Sequence, residues 1–160
     1  MKLIRYAVLF AFTFLSSFIS ASEGESCLAN AMTQSKMNQC AGVGYKEADA
    51  ELNRVYKQIR EIYKDDAKFL GKLKKAQLAW IQLRDADFEL EYPHTEDPSY
   101  YGSSFSMCAS GHKTWLTLQR VEFLKRWLVG AEEGDVCSGS QMYQWRLQEI
   151  LKNKYNQSKQ

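Results

Sequence analysis

The chain predicts an all-α fold: a small helical bundle built on a long antiparallel helical hairpin, with a third long helix and a short C-terminal helix, stapled by disulfides. Three features of its 160 residues carry that prediction. Apolar side chains recur at helical spacing through two long runs joined by a few residues, which favours an antiparallel pair. Almost nothing alternates with the period of a strand, and both prolines, Pro93 and Pro98, fall in one linker. Four cysteines, an even number, follow an export-type leader.

The leader comes first. Lys2 and Arg5 form a positive start, Tyr6 to Ile19 an apolar core and Ser20–Ala21 a small-residue exit, so residues 1–21 read as a secretory signal peptide cleaved after Ala21. The apolar run is short for a membrane anchor and does not recur downstream. Gly24, Glu25 and Ser26 before Cys27 do not make a lipoprotein signal. A periplasmic or secreted protein, with no membrane contact after cleavage, is the expectation. Residues 22–155 then form a single domain, and 156–160 a disordered basic tail.

The elements follow in order. Thr33 and Ser35 are candidate N-caps for a segment expected to break near Gly42 and Gly44. Beyond it Tyr45, Ala48, Leu52, Val55, Tyr56, Ile59 and Tyr63 keep a helical period. Asp65 or Asp66 restarts the chain into a second helix reaching about Leu90, with the stripe Phe69, Leu73, Ala76, Trp80 and Leu83. Within it Arg84 follows Trp80 by four residues, so its guanidinium can lie along the indole. Residues 92–106, with two prolines, Gly102 and several serines and aromatics, form a loop. A third helix spans roughly Met107 to Leu128, with Leu118, Val121, Leu124 and Leu128 in register and Gly130 as terminator. An acidic turn from Glu132 to Gly139 leads to a last helix from Met142 to about Lys154.

Charge excludes one class of partner. The chain holds 21 basic and 19 acidic residues, and removing the leader takes only Lys2 and Arg5, leaving 19 of each. A neutral mature chain gives no global drive toward nucleic acid. The cysteines Cys27, Cys40, Cys108 and Cys137 allow three disulfide connectivities; the preferred one pairs Cys27 with Cys40 and Cys108 with Cys137, each bridge contributing about 3 kcal/mol. Cys108 and His112 share a helical face with His94 nearby, but no C-x-x-C or H-x-x-x-H exists, so no metal and no cofactor is expected.

Catalytic motifs are absent: no phosphate-cradling glycine loop, G-x-S-x-G or H-E-x-x-H occurs. Acids four residues apart, such as Asp85 with Glu89 and Asp87 with Glu91, have the pattern of a solvated helix face rather than of a general-acid pair. A binding protein, not an enzyme, is the expectation. Its candidate partner surface is Asp85, Asp87, Glu89, Glu91, Glu96 and Asp97 with Tyr92, Tyr100 and Tyr101. Carboxylates steer a cationic protein and tyrosines supply contact area at low entropic cost. The structural reading of the same residues is a helix end running into a polar loop. A second set lies on the flanks of the two stripes: Asp49, Asn53 and Arg60 on one helix, Gln77 and Arg84 on the other. Antiparallel packing predicts an ion pair between Asp49 and Arg84 that sets helix register.

The runs M-N-Q-C-A at Met37–Ala41, A-D-A-E-L-N-R-V-Y at Ala48–Tyr56 and K-L-K-K-A-Q-L-A-W-I-Q-L-R-D-A at Lys72–Ala86 resemble the LprI-type lysozyme inhibitor family. Gly102, Ser103, Cys108, Thr117 and Arg120 fit its weaker second half. The resemblance implies a small, exported, helical, disulfide-containing bacterial protein, with Asp49, Leu52, Asn53, Tyr56, Gln77, Trp80 and Arg84 as structural motif residues. It also implies a protein partner, lysozyme or another cell-wall hydrolase, whose cleft would be occluded by side chains from Asp85 to Tyr101. The alternative is a non-inhibitory periplasmic adaptor or immunity protein. Two positions depart from the family pattern. Phe88 stands where the family commonly has a Cys, which implies a second disulfide rerouted to Cys137. Lys36 replaces a Glu, which removes a capping box from Thr33.

Overall fold

The computed structural model of the protein describes residues 22–97, 99–157 and 159; the expected signal peptide lies outside them. Helices account for all the regular structure among the described residues: α1 (Glu23–Ala29), α2 (Gln34–Ile62), α3 (Ala67–Glu91), α4 (Phe105–Val129) and α5 (Gln144–Gln157). An isolated bridge joins Ala131 to Tyr143. None of these helices is long and apolar enough to cross a membrane.

Helix α1 was not anticipated, although its start is written in the sequence. The Ser22 hydroxyl accepts from the Glu25 amide at 3.1 Å while the Ser22 amide donates to the Glu25 carboxylate at 3.3 Å, a complete capping box. Seven residues are too few to hold a helix alone, and α2 supplies the rest. Both Glu47 carboxylate oxygens accept from α1, from the Glu23 amide at 2.8 Å and the Gly24 amide at 3.0 Å, placing negative charge at the helix N-terminus. The Cys27–Cys40 disulfide forms as expected, with Cα atoms 5.4 Å apart. Gly24 lies directly on Gly44, where an added Cβ would come within 2.6 Å of the Gly44 Cα.

The contact requires glycine at Gly24; a Cβ on Gly44 would lie 4.0 Å from the Gly24 Cα, and one on Gly42 would meet nothing within 4 Å. Helix α2 nevertheless runs unbroken through both of its glycines, each at a cost of about 1 kcal/mol. Thr33 caps the helix by accepting from the Lys36 amide at 3.2 Å, without the reciprocal bond that Lys36 cannot provide. Along α2 the expected stripe is the core: Ala48, Leu52, Val55, Ile59 and Tyr63 are buried.

The close partner of α2 is α4, whose Thr117, Val121 and Leu124 are buried against it. The two run parallel. Near their N-termini the Asn38 amide donates to the Ser103 carbonyl at 2.9 Å, and near their C-termini the Tyr63 hydroxyl donates to the Trp127 carbonyl at 3.3 Å. Helix α3 is the antiparallel return limb. It brings Phe69, Leu70 and Leu73 into the core next to the turn, then leaves α2 with almost no close backbone approach. Of its expected stripe only Leu73 is buried; Trp80 is partly buried, and Ala76 and Leu83 are exposed. The hairpin is therefore splayed, because α4 and not α3 fills the apolar face of α2. In α4, Leu118 is likewise 43% exposed rather than in the core.

Gly130 ends α4 with a positive φ of 81°, and a side chain there would strike Leu147 and the Met142 carbonyl. The chain then folds back so that Leu147 of α5 is buried, and α5 continues through Gln157, into the segment expected to be a free tail. The expected Cys108–Cys137 bridge does not form; both thiols are free and exposed. Cys108 lies in the first turn of α4 and Cys137 beyond its last. The Trp127 indole donates to the Ser140 hydroxyl at 3.1 Å and holds the Cys137 segment at the C-terminal end of α4, with about 30 Å of helix, at 1.5 Å per residue, between it and the turn that carries Cys108, far more than a disulfide can span.

Candidate functional site

The end of α3 and the chain leading to α4 are fixed by rings. Tyr92 meets Phe88, Tyr101 and Phe105 at centroid distances of 5.3, 5.4 and 5.4 Å, and Tyr101 stacks on Phe105 at 5.0 Å. His112 of α4 closes the cluster against Tyr92 at 6.0 Å, and the Lys113 ammonium lies 4.0 Å above the Phe88 ring. Burial raises the Tyr92 phenol above its ordinary pKa, with Cys108, Glu91 and Tyr101 adding to the shift. Tyr92 and Tyr101 are thus partly buried anchors, while Tyr100 is 60% exposed beside His94 and Tyr101.

On this base the carboxylates face outward. Asp85, Glu89, Glu91, Glu96 and Asp97 are exposed, and Asp87 is partly buried. Two are committed locally. Asp97 accepts from the Ser99 amide at 2.9 Å and its hydroxyl at 2.7 Å, contacts that hold its pKa below the usual value. Asp85 accepts from the Arg84 Nε and Nη2 at 2.9 and 2.7 Å. Glu96 lies 3.6 Å from the His94 Nδ1. Glu89 and Glu91 have no ion pair among the described residues. The Tyr101 hydroxyl accepts from the His94 amide at 3.1 Å, a further tie on the loop.

The second set of predicted residues comes together differently from the expectation. Asp49 and Arg84 do not pair: Asp49 accepts from the Asn53 amide at 3.0 Å, and Arg84 turns to its neighbour Asp85. Their helices have already diverged, and a groove of about 560 Å³ separates them. All seven motif residues line it, Asp49, Leu52, Asn53 and Tyr56 from α2 and Gln77, Trp80 and Arg84 from α3. The Arg84 guanidinium lies 5.3 Å from the Trp80 ring centre, and that of Arg120 lies 5.7 Å from it. Arg120 Nε donates to Gln77 Oε1 at 3.0 Å, and burial lowers the Arg120 pKa.

Two participants were missed in the sequence. Lys74 lines the groove and was legible, since Lys74, Gln77, Ile81 and Arg84 recur at helical spacing beside the apolar stripe. The Arg120–Gln77 bond was not, because it joins residues 43 apart on separate helices. Among the described residues no group of three or more His, Cys, Asp or Glu side chains is placed to hold a metal ion.

The family model described as lysozyme inhibitor LprI matches residues 26–124 of this chain. An uncharacterized protein of Rhizobium meliloti (strain 1021) is 35% identical over 124 residues, covering 71% of this chain and 86% of its own length. No solved structure matches.

Proposed function

Because this chain belongs to the lysozyme inhibitor LprI family, we propose that it is an exported envelope protein that binds a lysozyme-type cell-wall hydrolase and inhibits it by covering the hydrolase cleft. The surface we assign to the task is the acidic end of α3 with the following loop. The observation that carries it is the pairing of exposed carboxylates, Glu89, Glu91 and Glu96 foremost, with an aromatic cluster that holds their backbone in place. A preordered segment loses little freedom on binding, and its charge attracts a cationic enzyme such as lysozyme over roughly a Debye length, about 10 Å at 0.1 M salt. The exposed Tyr100 ring offers contact area at the same place.

The test is lysozyme activity in the presence of the purified, oxidised protein across a salt series. The expected result is inhibition that weakens as salt rises, and that is lost on replacing Glu89, Glu91 and Glu96 together by Lys while helicity by circular dichroism is unchanged. No inhibition at low salt with micromolar protein overturns the proposal. Inhibition untouched by the triple replacement overturns the assigned surface.

A further inference from the structure

We propose that the groove between α2 and α3 is a second binding site, separate from the acidic segment, for a carboxylate-bearing amino-sugar glycan. It goes beyond the inhibitor reading and does not depend on it. The groove follows α2 from Asp49 to Arg60, about 16 Å at 1.5 Å per residue. It is open because α4 has taken the apolar face of α2, so packing does not account for the polar side chains collected along its walls.

Those side chains retain unused hydrogen-bonding capacity. Arg120 occupies the Gln77 oxygen and leaves the Gln77 amide N–H groups without a partner among the described residues. Asn53 donates to Asp49 and leaves its own carbonyl oxygen unengaged, and one Asp49 carboxylate oxygen is likewise unengaged. Donors and acceptors thus alternate beside the partly buried rings of Tyr56 and Trp80. Tyr56 and Trp80 give the groove an apolar wall, the Trp80 ring already carrying the Arg84 and Arg120 guanidiniums at 5.3 and 5.7 Å, and the amides and the Asp49 carboxylate beside them can exchange hydrogen bonds with the hydroxyl and acetamido groups of a saccharide; ligand pockets combine apolar walls with a few placed polar groups in this way.

Charge selects an acidic sugar. Arg60, Lys74 and Arg84 line the groove against Asp49 as the single acid. Neither Arg60 nor Lys74 has an ion pair among the described residues, and Arg84 keeps one terminal nitrogen unengaged. A carboxylate substituent on the glycan would meet these cations in charge-assisted hydrogen bonds. The opposite case lies on the far side of α2, where a cavity of about 440 Å³ is lined by Glu25, Glu47 and Glu51. There the carboxylates serve the fold, one Glu25 oxygen in the α1 cap, both Glu47 oxygens on the α1 amides and Glu51 on Arg54 with Lys125, and no Lys or Arg lines the cavity to meet a carboxylate on a ligand.

The experiment is a nitrogen-15 NMR titration of the oxidised chain with two probes, the disaccharide of N-acetylglucosamine and N-acetylmuramic acid, which carries a carboxylate, and neutral diacetylchitobiose. The expected result is saturable shifts of the Trp80 indole and Gln77 amide signals with the acidic sugar, and binding about tenfold or more weaker for the neutral one. Replacing Arg60 and Lys74 together by Ala is expected to erase that preference. Replacing the exposed Asn53 by Ala is expected to weaken both sugars in a folded protein. No shift at Trp80 with either sugar overturns the proposal, as does a shift of the same signals by an acidic peptide alone. Equal binding of both sugars overturns the carboxylate requirement. The variant lacking Arg60 and Lys74 keeps every acidic residue from Asp85 to Asp97 and is expected to inhibit lysozyme as the wild type does, so failure of one reading is seen apart from failure of the other.

Discussion

Tyr63, the C-cap of α2, is tied through one hydroxyl to α4 and to the segment that leads into α5, and removal of that hydroxyl is a sharp test of how the bundle closes. The side chain is 3% exposed; its oxygen accepts from the Met142 amide at 3.0 Å and its proton goes to the Trp127 carbonyl at 3.3 Å. Tyr63→Phe keeps the ring contact with Phe69 at 4.5 Å and leaves a backbone donor and a backbone acceptor without their partner. An unpaired buried group costs about 1–3 kcal/mol. With the 3.3 Å bond counted as the weaker, the expected loss is about 2 kcal/mol, or roughly 6 °C in Tm for a domain of this length. Urea and thermal denaturation of the oxidised protein followed by circular dichroism measure it. Tyr92→Phe is the control, expected within about 0.5 kcal/mol of wild type, because the Tyr92 hydroxyl makes no hydrogen bond among the described residues. Alkaline pH adds a second readout. Burial raises the Tyr63 pKa, with the Met142 amide partly opposing it. The folded state therefore keeps its proton where the unfolded chain loses it, and the stabilisation is fully present below the unfolded value of about 10 and lost as pH rises through the higher folded value. The gap between wild type and Tyr63→Phe should narrow above pH 10 or so. A Tyr63→Phe protein as stable as wild type, or a gap independent of pH, refutes the reasoning.

Replacing Cys27 and Cys40 together by Ser opens a crosslink of sequence separation 13. The expected loss is about 3 kcal/mol, with α1 amides losing hydrogen-exchange protection before those of α2. The unreduced wild-type protein should take up alkylating reagent at Cys108 and Cys137 alone, read by mass spectrometry; no uptake there would mean that the two are bridged after all. Within α3, Leu73→Ala should cost about 2–5 kcal/mol. Leu83→Ala, at a position 58% exposed, should cost less than about 1 kcal/mol in the same denaturation assay, and equal costs would contradict the splayed path of α3.

What could be read in advance followed what is local. The stripe of α2 was legible because Leu52, Val55 and Ile59 repeat at helical spacing, and Gly130 was legible as a terminator because a positive φ suits glycine. The stripe of α3 had the same periodicity but a different fate. Periodicity says that a face is apolar and leaves open which helix covers it, so Trp80 and Leu83 could not be told apart from Leu73. The Asp49–Arg84 pair failed for a related reason: the two residues were assigned correctly to facing flanks, but the interhelical distance depends on the bulk of α4, far along the chain. The acidic segment was visible as composition, whereas the ring cluster beneath it needs Phe105 and His112, which only the fold brings to Tyr92. Helix α1 was missed although Ser22 and Glu25 spell its cap, because seven residues carry too little periodicity to be seen.

The parallel pairing of α2 with α4 has a consequence for how the chain reaches its native state. Bonds that lock the pair join residues 65 apart at Asn38–Ser103 and 64 apart at Tyr63–Trp127. A helical hairpin closes over a short loop; here the covering partner arrives only after an entire intervening helix. Loop closure over such separations slows folding even in an all-helical protein. During synthesis the apolar face centred on Val55 and Ile59 stays unshielded until Leu124 has emerged. A chain truncated after α3 would expose that face permanently, so the part that carries the groove is not an autonomous folding unit.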